Sequence, residues 1–208
     1  NEPNVTEDLA LEPLTDYSRY KALCEEALLQ KRAPGFTTLI LRPATVCGYS
    51  PRLRLDLTVN ILTASAVTNR RITVFGGSQK RPNIHIQDVV DLYENMLEYS
   101  KEKIAGQIYN VGYQNYTIAE IAEMVRSVVQ REMPELGEIA IETASSNDQR
   151  SYHISSDKIL QQLYFQPKWT IQDAVADLCG AFRSGLIPNA LSDIRYYNVK
   201  VMQAVGVR

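Results

Sequence analysis

Arg32-Ala33-Pro34-Gly35-Phe36-Thr37-Thr38-Leu39-Ile40-Leu41-Arg42 decides how this chain folds. Its first four residues are a helix stop, with Pro and Gly following the last basic turn. The next seven are apolar or β-branched nearly throughout, which predicts a strand buried on both faces, as in a parallel sheet. Before them, Asp16 to Ala33 carries Ala22, Leu23, Ala27 and Leu28 at helical intervals and charges elsewhere. That spacing predicts an amphipathic helix capped by Asp16. Helix, Gly/Pro turn and buried strand make half of a βαβ unit, so the chain reads as α/β.

The pattern continues downstream. Pro43 closes the strand, and Ala44 to Arg54 reads as a loop holding Gly48 and Pro51. Asp56 to Asn69 predicts a helix with Leu57, Ile61 and Ala64 on one side. Ile72 to Phe75 is a short strand closed by Gly76-Gly77, and Asn83 to His85 a second extended piece. Gln87 to Ser100 reads as a helix with Val89, Val90, Leu92, Met96 and Leu97 as its apolar face. Gln107 to Val111 is a strand, and Thr117 with Glu120 opens a helix to Glu132 through a capping box. A weak strand at Ile139 to Ile141 and helices at Ser156 to Leu163 and Thr170 to Ser184 follow. Asn1 to Thr15 reads as irregular, and Ile187 to Arg208 carries no clear period.

With 208 residues, 45% hydrophobic and 22% charged, the chain has an ordinary globular balance. Its 22 basic against 24 acidic residues, in no basic block, argue against a general nucleic-acid binder. No apolar run approaches the roughly 18 residues of a membrane span. His85 and His153 offer no ligand spacing, so no metal is expected. Cys24, Cys47 and Cys179, widely spaced in apolar surroundings, read as reduced thiols of a cytoplasmic protein. Asn1 to Glu12 lacks a basic-then-apolar leader. The ten glycines contain no Gly-x-Gly-x-x-Gly turn. Either the chain binds no dinucleotide or a dinucleotide-binding half precedes residue 1, and the second is the expectation.

Tyr17 and Lys21 lie four apart on the first helix and so share a face. A phenol titrates near pH ~10, and a nearby ammonium favours the phenolate. The pair can therefore serve as a general acid/base, the alternative being a solvated surface pair.

Further motifs stand in order along the chain: Leu41-Arg42-Pro43-Ala44-Thr45-Val46-Cys47-Gly48, Asp56-Leu57, Ile72 to Gly76, Gln79 to Val90, Gly106 to Gly112, Asp148-Gln149-Arg150-Ser151-Tyr152 and Phe165-Gln166-Pro167. Together with Tyr17-x-x-x-Lys21 they resemble the C-terminal portion of the NAD-dependent sugar-nucleotide epimerases and dehydratases of the extended short-chain dehydrogenase/reductase class. The resemblance runs over nearly all of residues 1 to 185.

It implies the C-terminal part of a Rossmann-like parallel sheet plus a smaller α/β substrate-binding domain. Residues 1–50 would complete the NAD-binding domain. Residues 51–208 would mostly bind the nucleotide sugar, with about 70–110 returning to the sheet. Tyr17 would take the sugar hydroxyl proton while Lys21 holds the nicotinamide ribose, with Pro43, Ala44 and Val46 also against NAD. Thr45, Asp56, Leu57, Val74, Phe75, Arg81, Asn110 and Arg150 would face a UDP-, GDP- or CDP-sugar. The family usually has Asn at Thr45 and often Asn or Lys at Asp56, and Asp56 also reads as the cap of its own helix. Asn110 also reads as a strand-end turn residue, Phe75 as core, and His85 as a satisfied buried histidine. The resemblance further implies a homodimer through the Tyr17 helix. An NADP-dependent reductase of the same class, or a non-catalytic binding module, is the alternative.

Overall fold

The computed structural model describes residues 4–146 and 151–206. Helix α1 (Asp16–Gln30) is capped by Thr15, not Asp16. Thr15 Oγ1 accepts the Ser18 amide at 3.2 Å and Ser18 Oγ accepts the Thr15 amide at 3.0 Å, a reciprocal capping box. Asp16, one residue inside, favours the positive helix end and pairs with Arg19 at 3.1 Å. No α1 side chain is buried, and Leu23 is 50% exposed. Ser18, Ala22, Glu25, Leu28 and Leu29 are its half-buried residues. The Ala22/Leu23/Ala27/Leu28 face is therefore not a core face.

Strand β1 (Leu39–Pro43) pairs in parallel with β5 (Gln107–Val111), Leu39 opposite Gln107 and Pro43 opposite Val111. Within β1 only Ile40 is buried, and Phe36 is 53% exposed. The strand expected to be buried on both faces is half covered, because among the described residues it has a neighbour on one edge only. The supposed loop after Pro43 opens with a further strand, β2 (Thr45–Cys47), parallel to β4 (Lys80–His85). β4 also pairs antiparallel with β6 (Gln114–Thr117), giving the order β2-β4-β6. The third sheet joins β3 (Arg71–Phe75) and β7 (Ala140–Ala144) in parallel.

Helices α2 (Thr58–Asn69) and α5 (Ile118–Glu132) cover that third sheet, and α7 (Ile171–Arg183) packs on both helices and on β4. Val59, Ala66, Ile72, Val74, Ile121, Val125 and Val175 form its core. A second core gathers Ile84, Leu92, Tyr109 and Val111 with Ile159 and Leu163. It is shared by β4, β5, α3 (Ile86–Asn95) and α6 (Asp157–Leu163). α3 stops at Asn95, short of Ser100. Val90 on its outer side is 41% exposed and Leu97, beyond its end, 85%, while Leu92 alone among the apolar residues of α3 is buried. A single turn, α4 (Lys101–Ile104), leads into β5.

The unplaced tail is ordered. Ile187 and Ala190 join Leu53, Leu55, Ala64, Leu178 and Ala181 in a third core, followed by a 3-10 turn (Ile194–Tyr196) and α8 (Asn198–Ala204). At the other end, Val5 bridges to Ile154, and Glu7 Oε1 accepts the Asn110 amide at 2.7 Å. The N-terminal segment is thus stitched across the carboxyl end of β5.

No helix among the described residues is long and apolar enough to cross a membrane.

Candidate active site

A cleft of about 450 Å³ opens between α1 and the carboxyl end of β1. Tyr17, Lys21 and Glu25 line it from α1, Arg42 and Pro43 from β1, and Leu11 to Pro13 from the preceding segment. The capping box fixes where α1 starts, and so places Tyr17 in its first turn, with Lys21 about 6 Å further along the axis. Tyr17 is 76% exposed and Lys21 is exposed. Among the described residues no hydrogen bond or ion pair engages either side chain. The other cation of the cleft is committed. Arg42 grips Glu25 through Nη2 to Oε2 at 2.7 Å and Nε to Oε1 at 3.0 Å, and reaches the Glu7 carbonyl at 3.4 Å. Both side chains of this pair are 19% exposed. Lys21 is therefore the positive charge the cleft leaves available.

Pro43 lines the cleft, and Ala44, Thr45 and Val46 follow it directly. Ala44 is buried, its amide donating to Val111 O at 2.7 Å. Thr45 and Val46 are half-buried in β2, opposite Asn83 and Ile84. Arg81 sits two residues before Asn83 on β4, with its guanidinium over the Tyr152 ring at 5.8 Å from the centroid and Nη1 donating to Lys80 O. Phe75, expected at the nucleotide sugar with a core position as the alternative, points out and is 58% exposed. Leu57 is half-buried as the N-cap of α2 and makes no side-chain cap bond.

Three residues expected at the substrate make contacts within the chain. Val74 is 2% exposed, its side chain within the third-sheet core and its backbone opposite Thr143. Asn110 is buried, with its amide held by Glu7 and its Nδ2 donating to Val5 O at 3.0 Å. It serves the N-terminal stitch and is no strand-end turn residue, since β5 runs on to Val111. Asp56 does not cap α2; Oδ1 pairs with Arg54 at 2.9 Å and Oδ2 accepts the Asn198 amide of α8 at 3.1 Å. Arg150, with Asp148 and Gln149, lies outside the described residues.

Several buried polar groups around the strands carry the fold. His85 Nδ1 accepts the Gln87 amide at 3.0 Å, capping α3, and the ring stacks on Trp169 with centroids 5.6 Å apart. Its Nε2 lies 3.2 Å from Asp177 Oδ2 but out of hydrogen-bond alignment, so the histidine is only half satisfied. Asp88, 1% exposed, accepts the Lys168 and Trp169 amides at 2.8 and 3.1 Å. Burial raises its carboxyl above the usual range, against the pull of those two amides and of His85. Burial, with the Asp88 charge adding, pushes the Cys47 thiol up to about 12, which makes it a poor nucleophile. Cys24, unlike the other two cysteines, is exposed. The sequence signal for Asp88 was a carboxylate inside the apolar run Ile86 to Val90; Arg42 and Glu25 carried none, being joined only by the fold.

Three comparisons bear on this arrangement. The chain is 23% identical over 180 residues to dTDP-glucose 4,6-dehydratase of Shigella flexneri, covering 83% of this chain and 48% of that protein. It spans about half the length of the curated relatives it matches. Its fold matches UDP-glucuronic acid 4-epimerase of Bacillus cereus, solved with UDP-glucuronic acid and NAD. That match has TM-score 0.72 and 21% identity, over 88% of this chain and 57% of that one. It also matches dTDP-glucose 4,6-dehydratase of Bacillus anthracis, solved with NAD, at TM-score 0.70 and 19% identity, over 88% and 57%. The family model for the NAD dependent epimerase/dehydratase family matches residues 1–112, the part that holds α1, β1 and the cleft between them. By that match the chain belongs to the NAD-dependent epimerase/dehydratase family.

Proposed function

We propose that this chain is part of an NAD-dependent epimerase or dehydratase acting on a nucleotide-diphosphate sugar, with Tyr17 as its acid/base and Lys21 as the partner of Tyr17. One observation carries the reading: a phenol and an amine, both uncommitted, share a cleft at the carboxyl end of a parallel strand, where open α/β sheets bind ligands. NAD, held by the residues of this cleft, would supply hydride acceptance and donation for the sugar ring. Tyr17 Oη takes the proton of the sugar hydroxyl and later gives it back. The Lys21 ammonium holds the cofactor's ribose hydroxyls, a donor set that suits a ribose.

Pro43, Ala44 and Val46 border the cofactor along the β1–β2 step. The Thr45 hydroxyl faces the sugar, replacing an amide's donor and acceptor by one hydroxyl. The Arg81 fork meets the diphosphate, with Arg150 as a second guanidinium. The exposed Phe75 ring and Leu57 border the nucleotide. Residues 1–50 belong to the cofactor domain and most of 51–208 to the sugar domain, with about 70–110 returning to the sheet. The exposed side of α1 is the homodimer face. The relatives point to UDP and dTDP sugars for the first trials, with GDP- and CDP-sugars next.

The test is turnover of UDP- and dTDP-sugars by the full-length protein. Tyr17→Phe is expected to lower kcat by about 10²- to 10⁴-fold, the range of general acid/base catalysis. Melting should not change, because the phenol is exposed and unpaired. Turnover of the variant at the parent's rate refutes the assignment.

A further inference from the structure

The segment 48–57 follows the carboxyl end of β2 and has almost no secondary structure, yet it buries Leu53 and Leu55 at 4% and 0% exposure. Two sets of contacts hold it. From α2, buried Asn60 accepts the Gly48 amide at 3.1 Å and donates to Arg54 O at 2.9 Å. From the tail, Tyr196 O accepts the Leu55 amide at 2.9 Å, and Asn198 holds both ends of the exposed rim. The Asn198 amide donates to Asp56 Oδ2 at 3.1 Å, while its Oδ1 accepts Arg52 Nη2 at 3.0 Å. Asp56 Oδ1 in turn takes Arg54 Nε at 2.9 Å. Arg52, Arg54 and Asp56 thus form one chain of contacts closed through a residue more than 140 positions away. Beneath it, Ile187 and Ala190 complete the core around Leu53 and Leu55.

We infer that the tail Asp193–Asn198 is a strap that orders the loop 51–57 for ligand binding, with Asn198 as its positioning residue. The inference rests on the reading of the chain as a nucleotide-sugar enzyme, because it takes the ligand to be a nucleoside diphosphate and the loop's guanidiniums to face it. With the rim closed, the Asp56 carboxylate is occupied by Arg54 and the α8 amide. A carboxylate left loose at that place would repel a diphosphate; held, it fixes Arg54 instead. Arg52, tethered at one nitrogen only, keeps its other donors for an anion. The strap converts a loop of mixed charge into a fixed basic edge.

The experiment compares wild type, Asn198→Ala and Asn198→Asp in the full-length protein. The readouts are hydrogen exchange without ligand and binding of dTDP and UDP by calorimetry. Asn198→Ala removes the Arg52 acceptor, and one such hydrogen bond corresponds to about a 3- to 10-fold effect. Exchange at 52–57 is expected to quicken by that factor, and dTDP or UDP affinity to fall by a similar one. Exchange in β3 and α5 should not move. Asn198→Asp keeps the acceptor and is expected to restore slow loop exchange, while its added carboxylate beside Arg52 keeps dTDP and UDP affinity low. Unchanged loop exchange in Asn198→Ala, exchange that rises equally throughout the molecule, or loop exchange in Asn198→Asp as fast as in the alanine variant overturns the inference. If wild type binds neither nucleotide while the loop still loosens as expected, the nucleotide-sugar reading fails and the strap stands.

Discussion

Removing the Glu25 charge should undock α1. The helix spans 15 residues and buries none of them, so apolar contact alone holds it weakly. Its charged tie to the sheet is Glu25 with Arg42, made through N···O distances of 2.7, 3.0 and 3.2 Å. An exposed ion pair contributes about 0–1 kcal/mol, and removing one partner of a buried pair costs about 3–5 kcal/mol. At 19% exposure on both sides the pair lies between these limits. Glu25→Gln also leaves Arg42 with little beyond the Glu7 carbonyl at 3.4 Å. An expected cost of about 2 kcal/mol follows, which at ~1.4 kcal/mol per decade raises the undocked population about 30-fold. Native-state hydrogen exchange reads this directly: α1 amides should exchange about 30-fold faster while α5 and α7 amides hold. Acceleration of α1 below about threefold, or an equal rise in α5, refutes the reasoning. The first result would mean that half-buried apolar contact suffices, the second that the pair serves global stability.

Two further outcomes follow from buried groups. Asp88 has its pKa raised from 3.8 by burial, so its contribution is fully present below that value and is lost as pH rises through the raised one. The stability of wild type relative to Asp88→Asn, from urea midpoints between about pH 3 and pH 7, should therefore decline with rising pH; a rise would mean the two amides outweigh burial. Gly48→Ala puts a side chain at φ +104° with its Cβ 3.1 Å from His85 Nε2 and Ile86 Cγ2. Strain of this kind costs about 1–3 kcal/mol, a fall in melting temperature of roughly 4–8 °C for ~2 kcal/mol, which calorimetry checks.

Where the deciding forces are local, the sequence sufficed. The capping box of α5, Thr117 with Glu120, needs only a three-residue spacing. Tyr17 and Lys21 were found for the same reason. Strand phase was not legible. β3 alternates along its length, and nothing within Ile72 to Phe75 says which set faces the helices; the fold buries Ile72 and Val74 and turns Phe75 outward. Pro82 hid half of β4, because a proline argues against an inner strand. The structure accommodates it because β2 pairs only from Asn83 onward, so Pro82 has β6 as its sole neighbour. The tail was illegible because its partners, Leu53, Leu55 and Asp56, lie far away in sequence.

The same distance in sequence hid what keeps Lys21 available. Tyr17, Lys21 and Glu25 form one row of α1, each a turn from the next, so Glu25 is as well placed to capture Lys21 as Tyr17 is to use it. A Lys-to-Glu pair at this spacing is worth only a few tenths of a kcal/mol, yet it would draw the ammonium away from the phenol. Arg42 prevents this by taking both Glu25 oxygens from the sheet side, with a bidentate geometry lysine cannot match. The contact that docks the helix is thus also the one that leaves its amine uncommitted. In this fold the anchor and the proposed chemistry meet at Glu25, although that residue belongs to neither of the motifs that brought the cleft to notice.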